Sequence, residues 1–141
     1  MKKLFYLFLI LIFPTVCFAA NTTTVGSSLK VIQIIPDGST NWVWEDDIAG
    51  LTGFTANELS RLKSSKVKRI VFYPSAANDR MILYDGGSDN AAFFDSGLVS
   101  GADDPRTMIY DPPEKIRLVL VATDNTTDTA ASCKILIFLE N

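Results

Sequence analysis

Residues 115–140 read KIRLVLVATDNTTDTAASCKILIFLE. Two runs, Lys115–Ala122 and Cys133–Leu139, are almost wholly apolar and rich in β-branched residues, and the polar stretch Thr123–Thr129 separates them. Such continuous runs are what central strands covered on both faces require. The short polar connection predicts that the two pair as an antiparallel hairpin. Upstream, further strand signals fall at Leu29–Ile35, Trp42–Trp44, Val67–Tyr73, Arg80–Tyr84, Ala91–Phe94 and Thr107–Tyr110. Turn residues bound most of them, including Pro36-Asp37-Gly38 and the loops PSAAND (74–79) and DGGSDN (85–90).

Helical periodicity is scarce. One stretch, Thr55-Ala56-Asn57-Glu58, has the capping-box form, with Leu59 and Leu62 on one face behind it. Many short strands with one short helix near 55–63 predict an all-β fold, a single antiparallel β-sandwich or small barrel.

The N-terminus has a different character. Met1-Lys2-Lys3 precedes the apolar run Leu4–Phe13, Pro14 breaks it, and small residues follow around Cys17-Phe18-Ala19-Ala20. Basic start, apolar middle and small-residue end are the layout of a secretory signal peptide. Cleavage is expected after Ala19, with Ala20 the neighbouring alternative. A spanning helix needs about 20 apolar residues, so no stable membrane span is expected after cleavage. The chain then divides into a signal peptide (1–19), a flexible polar leader (20–28) and one domain (29–141). The expected location is outside the cytoplasm, periplasmic or extracellular.

Loss of Lys2 and Lys3 leaves 11 cations against 16 carboxylates, a net charge of −5. That balance disfavours nucleic acid, whose phosphates demand a basic face. Five of the remaining cations fall within Arg61–Arg69. After cleavage Cys133 is the single cysteine, so no intrachain disulfide can form, and its apolar surroundings predict a buried thiol.

The chemistry the chain lacks narrows its function. It contains no histidine, which removes Ser–His–Asp and Cys–His mechanisms and ordinary zinc sites. Ser60-Arg61-Leu62-Lys63 and Ser88-Asp89-Asn90 match two short β-lactamase motifs, but the third, K-T-G, is absent. The carboxylate groups Glu45-Asp46-Asp47, Asp85 with Asp89, and Asp103-Asp104 keep no EF-hand spacing. Their Asp, Asn and Gly residues are what turns require. The chain is therefore expected to be no enzyme and to need no cofactor.

Two surface candidates remain. Trp42 and Trp44 alternate on one side of a strand and, if exposed, would form a sugar-stacking platform. That would make the chain a carbohydrate-binding module; the alternative for the rings is the core. The second candidate is an echo between RMILYD (80–85) and RTMIYD (106–111). Strand alternation puts Arg80, Ile82 and Tyr84 on one face, and likewise Arg106, Met108 and Tyr110. Arg and Tyr are enriched at protein contacts, so these stripes suit a protein partner or self-assembly, with core-edge packing as the alternative.

LTGFTANELSRLK (Leu51–Lys63) and KRIVFYPSAANDRMILYDG (Lys68–Gly86) together resemble small β-rich proteins encoded in phage and prophage-like regions. The resemblance implies a structural, non-enzymatic role as a particle-surface or fibre component, and it carries over no catalytic residue. The export signal departs from that group, whose particles mostly assemble in the cytoplasm.

Overall fold

A computed structural model describes residues 21–37, 40–86, 92–115, 117–120 and 133–140. The expected signal peptide therefore lies outside the described residues. Among the described residues nine strands form two antiparallel sheets, accompanied by two short helices.

Strand β1 (Thr22–Val25) pairs with β2 (Val31–Ile35). β3 (Trp42–Val43) runs directly into helix α1 (Trp44–Ala49), which is followed by α2 (Ala56–Ser64). Then come β4 (Lys66–Tyr73), β5 (Ile82–Asp85), β6 (Ala92–Asp95), β7 (Arg106–Glu114), β8 (Leu118–Leu120) and β9 (Lys134–Glu140). The larger sheet has the order β1-β2-β9-β4-β7, and the smaller β3-β8-β5-β6.

The core follows from strand alternation. In β9 every second residue, Ile135, Ile137 and Leu139, is buried, and the residues between are half-buried. Ile32 of β2 and Ile70 of β4 flank Ile137 in register, giving one fully buried row across three strands. Trp42, Leu83, Phe94 and Leu118 of the smaller sheet join the same apolar cluster, with Trp44, Ile48 and Leu62 of the helices. Burying each such side chain stabilises the fold by about 1.5–3 kcal/mol.

Four sequence expectations need correction. The hairpin between Lys115–Ala122 and Cys133–Leu139 does not form. β8 pairs with β3 and β5 in the smaller sheet, while β9 pairs with β2 and β4 in the larger. Both edges of each strand are therefore taken by others. Nor is β9 covered on both faces: Lys134, Leu136 and Phe138 face outward, half-exposed.

The leader is not free. Thr22–Val25 of that polar stretch is β1, held to β2 from Thr22↔Ile35 to Val25↔Ile32. Its threonines suit an edge strand with one wet face.

A second helix was also missed. Glu45-Asp46-Asp47 does not end a strand; it fills the first turn of α1, where carboxylates complement the positive end of the helix. Asp47 Oδ2 accepts from the Val43 N–H at 2.6 Å, and Trp44 and Ile48, four apart, are both buried. The expected α2 is present with its capping box complete: Glu58 N–H donates to Thr55 Oγ1, and Thr55 N–H to Glu58 Oε2 at 2.8 Å.

Among the described strands β7 lies at the edge of the larger sheet, paired with β4, and almost all of it is exposed. Pro112 and Pro113 lie within it, which only an edge or bulge tolerates. The ladder shifts there, jumping from Arg69↔Ile109 to Val67↔Glu114.

Candidate functional site: the outer face of the larger sheet

The row next to the buried Ile32–Ile137–Ile70 row faces outward and crosses four strands. It runs Val31↔Phe138↔Arg69↔Ile109. The Arg69 guanidinium carbon lies 3.8 Å from the centre of the Phe138 ring, a cation–π contact. Ile109 is 66% exposed, the largest value among the exposed bulky apolar residues described. Together with Lys30, Lys68 and Leu139 these residues line an open hollow of about 420 Å³. Among the described residues, Lys30, Lys68 and Arg69 make no ion pair, and no carboxylate lines the hollow. A net-negative chain thus presents an apolar floor under a cationic rim.

The fold builds this hollow from unrelated segments. The Leu139 N–H donates to the Lys30 carbonyl at 2.8 Å, tying the end of β9 to the turn before β2. The shift in β4 around Val67–Arg69 sets Lys68 beside it. Sequence reasoning noted the basic stretch Arg61–Arg69 but not Ile109, Phe138 or Val31. Alternation in Arg106–Tyr110 was the available signal, because it places Thr107 and Ile109 on the face opposite Met108.

The two Arg/Tyr stripes lie in different sheets. Ile82 and Tyr84 lie on the face of β5 opposite the core residue Leu83, in the smaller sheet, and Arg80 stands two residues before that strand. Arg80 is engaged by Asp95 through two hydrogen bonds, 2.9 and 2.6 Å, and Ile82 is buried beneath them. That guanidinium holds the Asp95 carboxyl below the usual carboxylate range. Arg106, Met108 and Tyr110 lie on β7 of the larger sheet, in register with the core residues Phe72 and Ile70. Arg106 pairs with Asp104 at 2.8 Å, Met108 is 40% exposed, and the half-buried Tyr110 stacks on Phe93 of β6.

Trp42 and Trp44 are core residues, 0% and 1% exposed, packed edge to face with centroids 6.1 Å apart. Trp42 Nε1 donates to Thr23 Oγ1 at 2.9 Å, and Trp44 Nε1 to the Lys63 carbonyl at 3.3 Å. Neither ring has a face to offer a sugar, because a fold of this size needs its largest side chains inside.

The carboxylates serve local structure. Asp79 Oδ2 accepts from the Ser75 and Ala76 N–H groups at 2.6 and 2.9 Å and from Ser75 Oγ at 2.8 Å, so PSAAND is a self-bonded turn. Asp104 accepts from the Ser100 N–H and hydroxyl, which with Arg106 hold its carboxyl below the usual range. Burial pushes the Asp47 carboxyl up despite its bond from Val43, and Asp46 beside it adds to the rise. Asp85 accepts from the Arg117 N–H at 3.1 Å; most of DGGSDN, including Ser88-Asp89-Asn90, lies outside the described residues. Ser60 and Lys63 line a shallow polar hollow with Glu45 and Arg117. Among the described residues no group of three or more Cys, Asp or Glu converges as metal ligands. Among the same residues no helix is long and apolar enough to cross a membrane. Compared with family models, curated proteins and solved structures, the chain matches none.

Proposed function

We propose that this chain is an exported, non-enzymatic protein that acts by assembly or by binding a protein partner, as a surface, filament or particle component. The observation that carries the reading is the cation-rimmed apolar hollow on the outer face of the larger sheet. Exposed Ile109, the half-buried Val31 and Phe138, and three cations that make no ion pair among the described residues give this face the mixed apolar and cationic character of a contact surface. β7 adds a strand edge without a partner among the described residues, and such edges are templates for association unless protected. Export is supported by the basic-then-apolar N-terminus, and the resemblance to phage-region β proteins fits a structural role. In this reading the two sheets face each other as a β-sandwich around their shared apolar cluster. The carbohydrate-binding alternative has no support from the buried Trp42 and Trp44.

The test is light scattering of the chain purified after export, over a wide concentration range, with the mass of the purified chain reporting cleavage. A discrete high-mass species that Ile109→Lys disperses supports the reading. A strict monomer at high concentration counts against it.

A further inference from the structure

We infer that the hollow receives a second copy of this chain, and that the inserted element is Leu98 with its acidic loop; this rests on the contact-surface reading above. Leu98 is 63% exposed, yet the backbone that carries it is braced. Its neighbour Val99 is 2% exposed and anchored in the core. The Val99 N–H donates to the Asp79 carbonyl at 3.1 Å, and its own carbonyl accepts from the Asn78 N–H at 2.8 Å. On the other side Gly97 sits in the left-handed region (φ 62°), and its N–H donates to Asp95 Oδ1 at 2.9 Å. An apolar side chain held outward on a pinned loop loses little conformational freedom when it docks.

Charge complements shape. Residues 92–105 contain Asp95, Asp103 and Asp104, of which Asp95 is paired with Arg80 and Asp104 with Arg106. Asp103 makes no ion pair among the described residues. The hollow offers Val31, Phe138 and Ile109 to the Leu98 side chain and Lys30, Lys68 and Arg69 to the Asp103 carboxylate. An apolar knob with Asp103 on its loop matches an apolar floor with a cationic rim.

The two surfaces lie at different places on one molecule. The Leu98 loop leads into β7 at Arg106, and Ile109 lies about 10 Å further along that strand. A contact between unlike surfaces is either reciprocated across a two-fold axis, each knob in the other copy's hollow, or repeats from copy to copy as a heterologous ring or open chain.

That asymmetry supplies the test. Leu98→Ser removes the knob and leaves the hollow; Lys68→Glu spoils the rim and leaves the knob. Both positions are exposed, and circular dichroism checks that each variant folds. Light scattering is expected to show concentration-dependent assembly of the natural chain, weakened by raising salt from 0.05 to about 0.5 M. Each variant alone is expected to raise the concentration for half-assembly about tenfold or more. Mixed in equal amounts, the two should form a one-to-one dimer that does not extend, because one productive pairing remains. Assembly lost with Lys68→Glu but kept with Leu98→Ser would overturn the inference and leave the hollow as a contact surface. Assembly indifferent to both variants would sink the hollow as well. A chain that stays monomeric yet sediments with phosphatidylglycerol vesicles overturns the second-copy occupant in favour of an anionic lipid surface.

Discussion

The Tyr110 hydroxyl donates to the Phe93 carbonyl at 3.0 Å while the two rings stack with centroids 4.2 Å apart and planes 15° from parallel. Among the described strands β7 pairs with β4, and this contact joins it to β6 of the smaller sheet. Tyr110→Phe keeps the stack and loses the hydrogen bond, and should cost about 1 kcal/mol. Tyr110→Ala loses both and should cost roughly 2–3 kcal/mol. Urea midpoints with unchanged slopes would measure each. Equal losses for the two variants would show that the stack contributes nothing.

The same phenol makes a pH prediction. Burial first, and the Glu114 carboxylate second, push its ionisation well above the ordinary value. In the unfolded chain a tyrosine ionises near pH 10. Its folded pKa is raised, so the stability it contributes is fully present below about pH 10 and is lost as pH rises further. The stability advantage of the natural chain over Tyr110→Phe should therefore shrink above pH 10. A constant difference from pH 8 to 11 would contradict the burial of this hydroxyl.

At the acid end the α2 cap should dominate one step. Hydrogen bonds from the Thr55 N–H and hydroxyl hold the Glu58 carboxyl below its usual range. A depressed carboxyl contributes stability that is present above its unfolded pKa, near 4.3, and is lost as pH falls through its lower folded value. Thr55→Ala should cost about 1 kcal/mol at neutral pH. Of the two bonds it removes, the one from the Thr55 hydroxyl to Glu58 titrates and the one from the Glu58 N–H does not, so the penalty should narrow in part below about pH 4. Denaturation at pH 7 and pH 3 gives the comparison.

How far these features could be read from the sequence depended on how local their physics is. The α2 cap is a four-residue pattern, Thr55 to Glu58, and it was legible in full. Strands were legible wherever β-branched runs met turn residues. Their partners were not, because alternation fixes which face a strand buries but not which strand lies beside it. Thus β8 and β9, adjacent in sequence, joined different sheets. The hollow was illegible for the same reason: Val31, Arg69, Ile109 and Phe138 meet only through three strand pairings. α1 carried a fainter local signal, Trp44 and Ile48 one turn apart behind three acids, overshadowed by the strand-like Trp42-Val43-Trp44.

β1 provides a test of that missed pairing. Trp42 Nε1 finds its acceptor in Thr23 Oγ1, linking the first strand to the start of the smaller sheet. Thr23→Val leaves a buried indole N–H without this partner and should cost roughly 1–3 kcal/mol. Trp42→Phe removes the donor and also leaves a space in the core. In a double-mutant cycle the coupling should come to about 1 kcal/mol. Removing Asn21–Val25 should cost more than either, since it strips β2 of its edge partner. A truncation with no effect on the urea midpoint would show that β1 is dispensable.

Cys133 should behave as part of the core rather than as a linking thiol. It stands just before β9, 2% exposed, within the cluster that contains Ile135 and Ile137. A thiol reagent needs the exposed thiolate, and here that requires the end of β9 to leave two neighbouring strands. Labelling by a chromogenic disulfide should therefore be negligible over minutes in the native state and immediate in urea. Its slow native rate should track global stability when a core residue is weakened, for instance by Ile137→Val, which removes one methylene and costs about 1 kcal/mol. If opening and closing are fast relative to labelling, that change should speed labelling about fivefold. A rate insensitive to Ile137→Val, or a disulfide-linked pair on a non-reducing gel of native protein, would place the thiol at the surface instead.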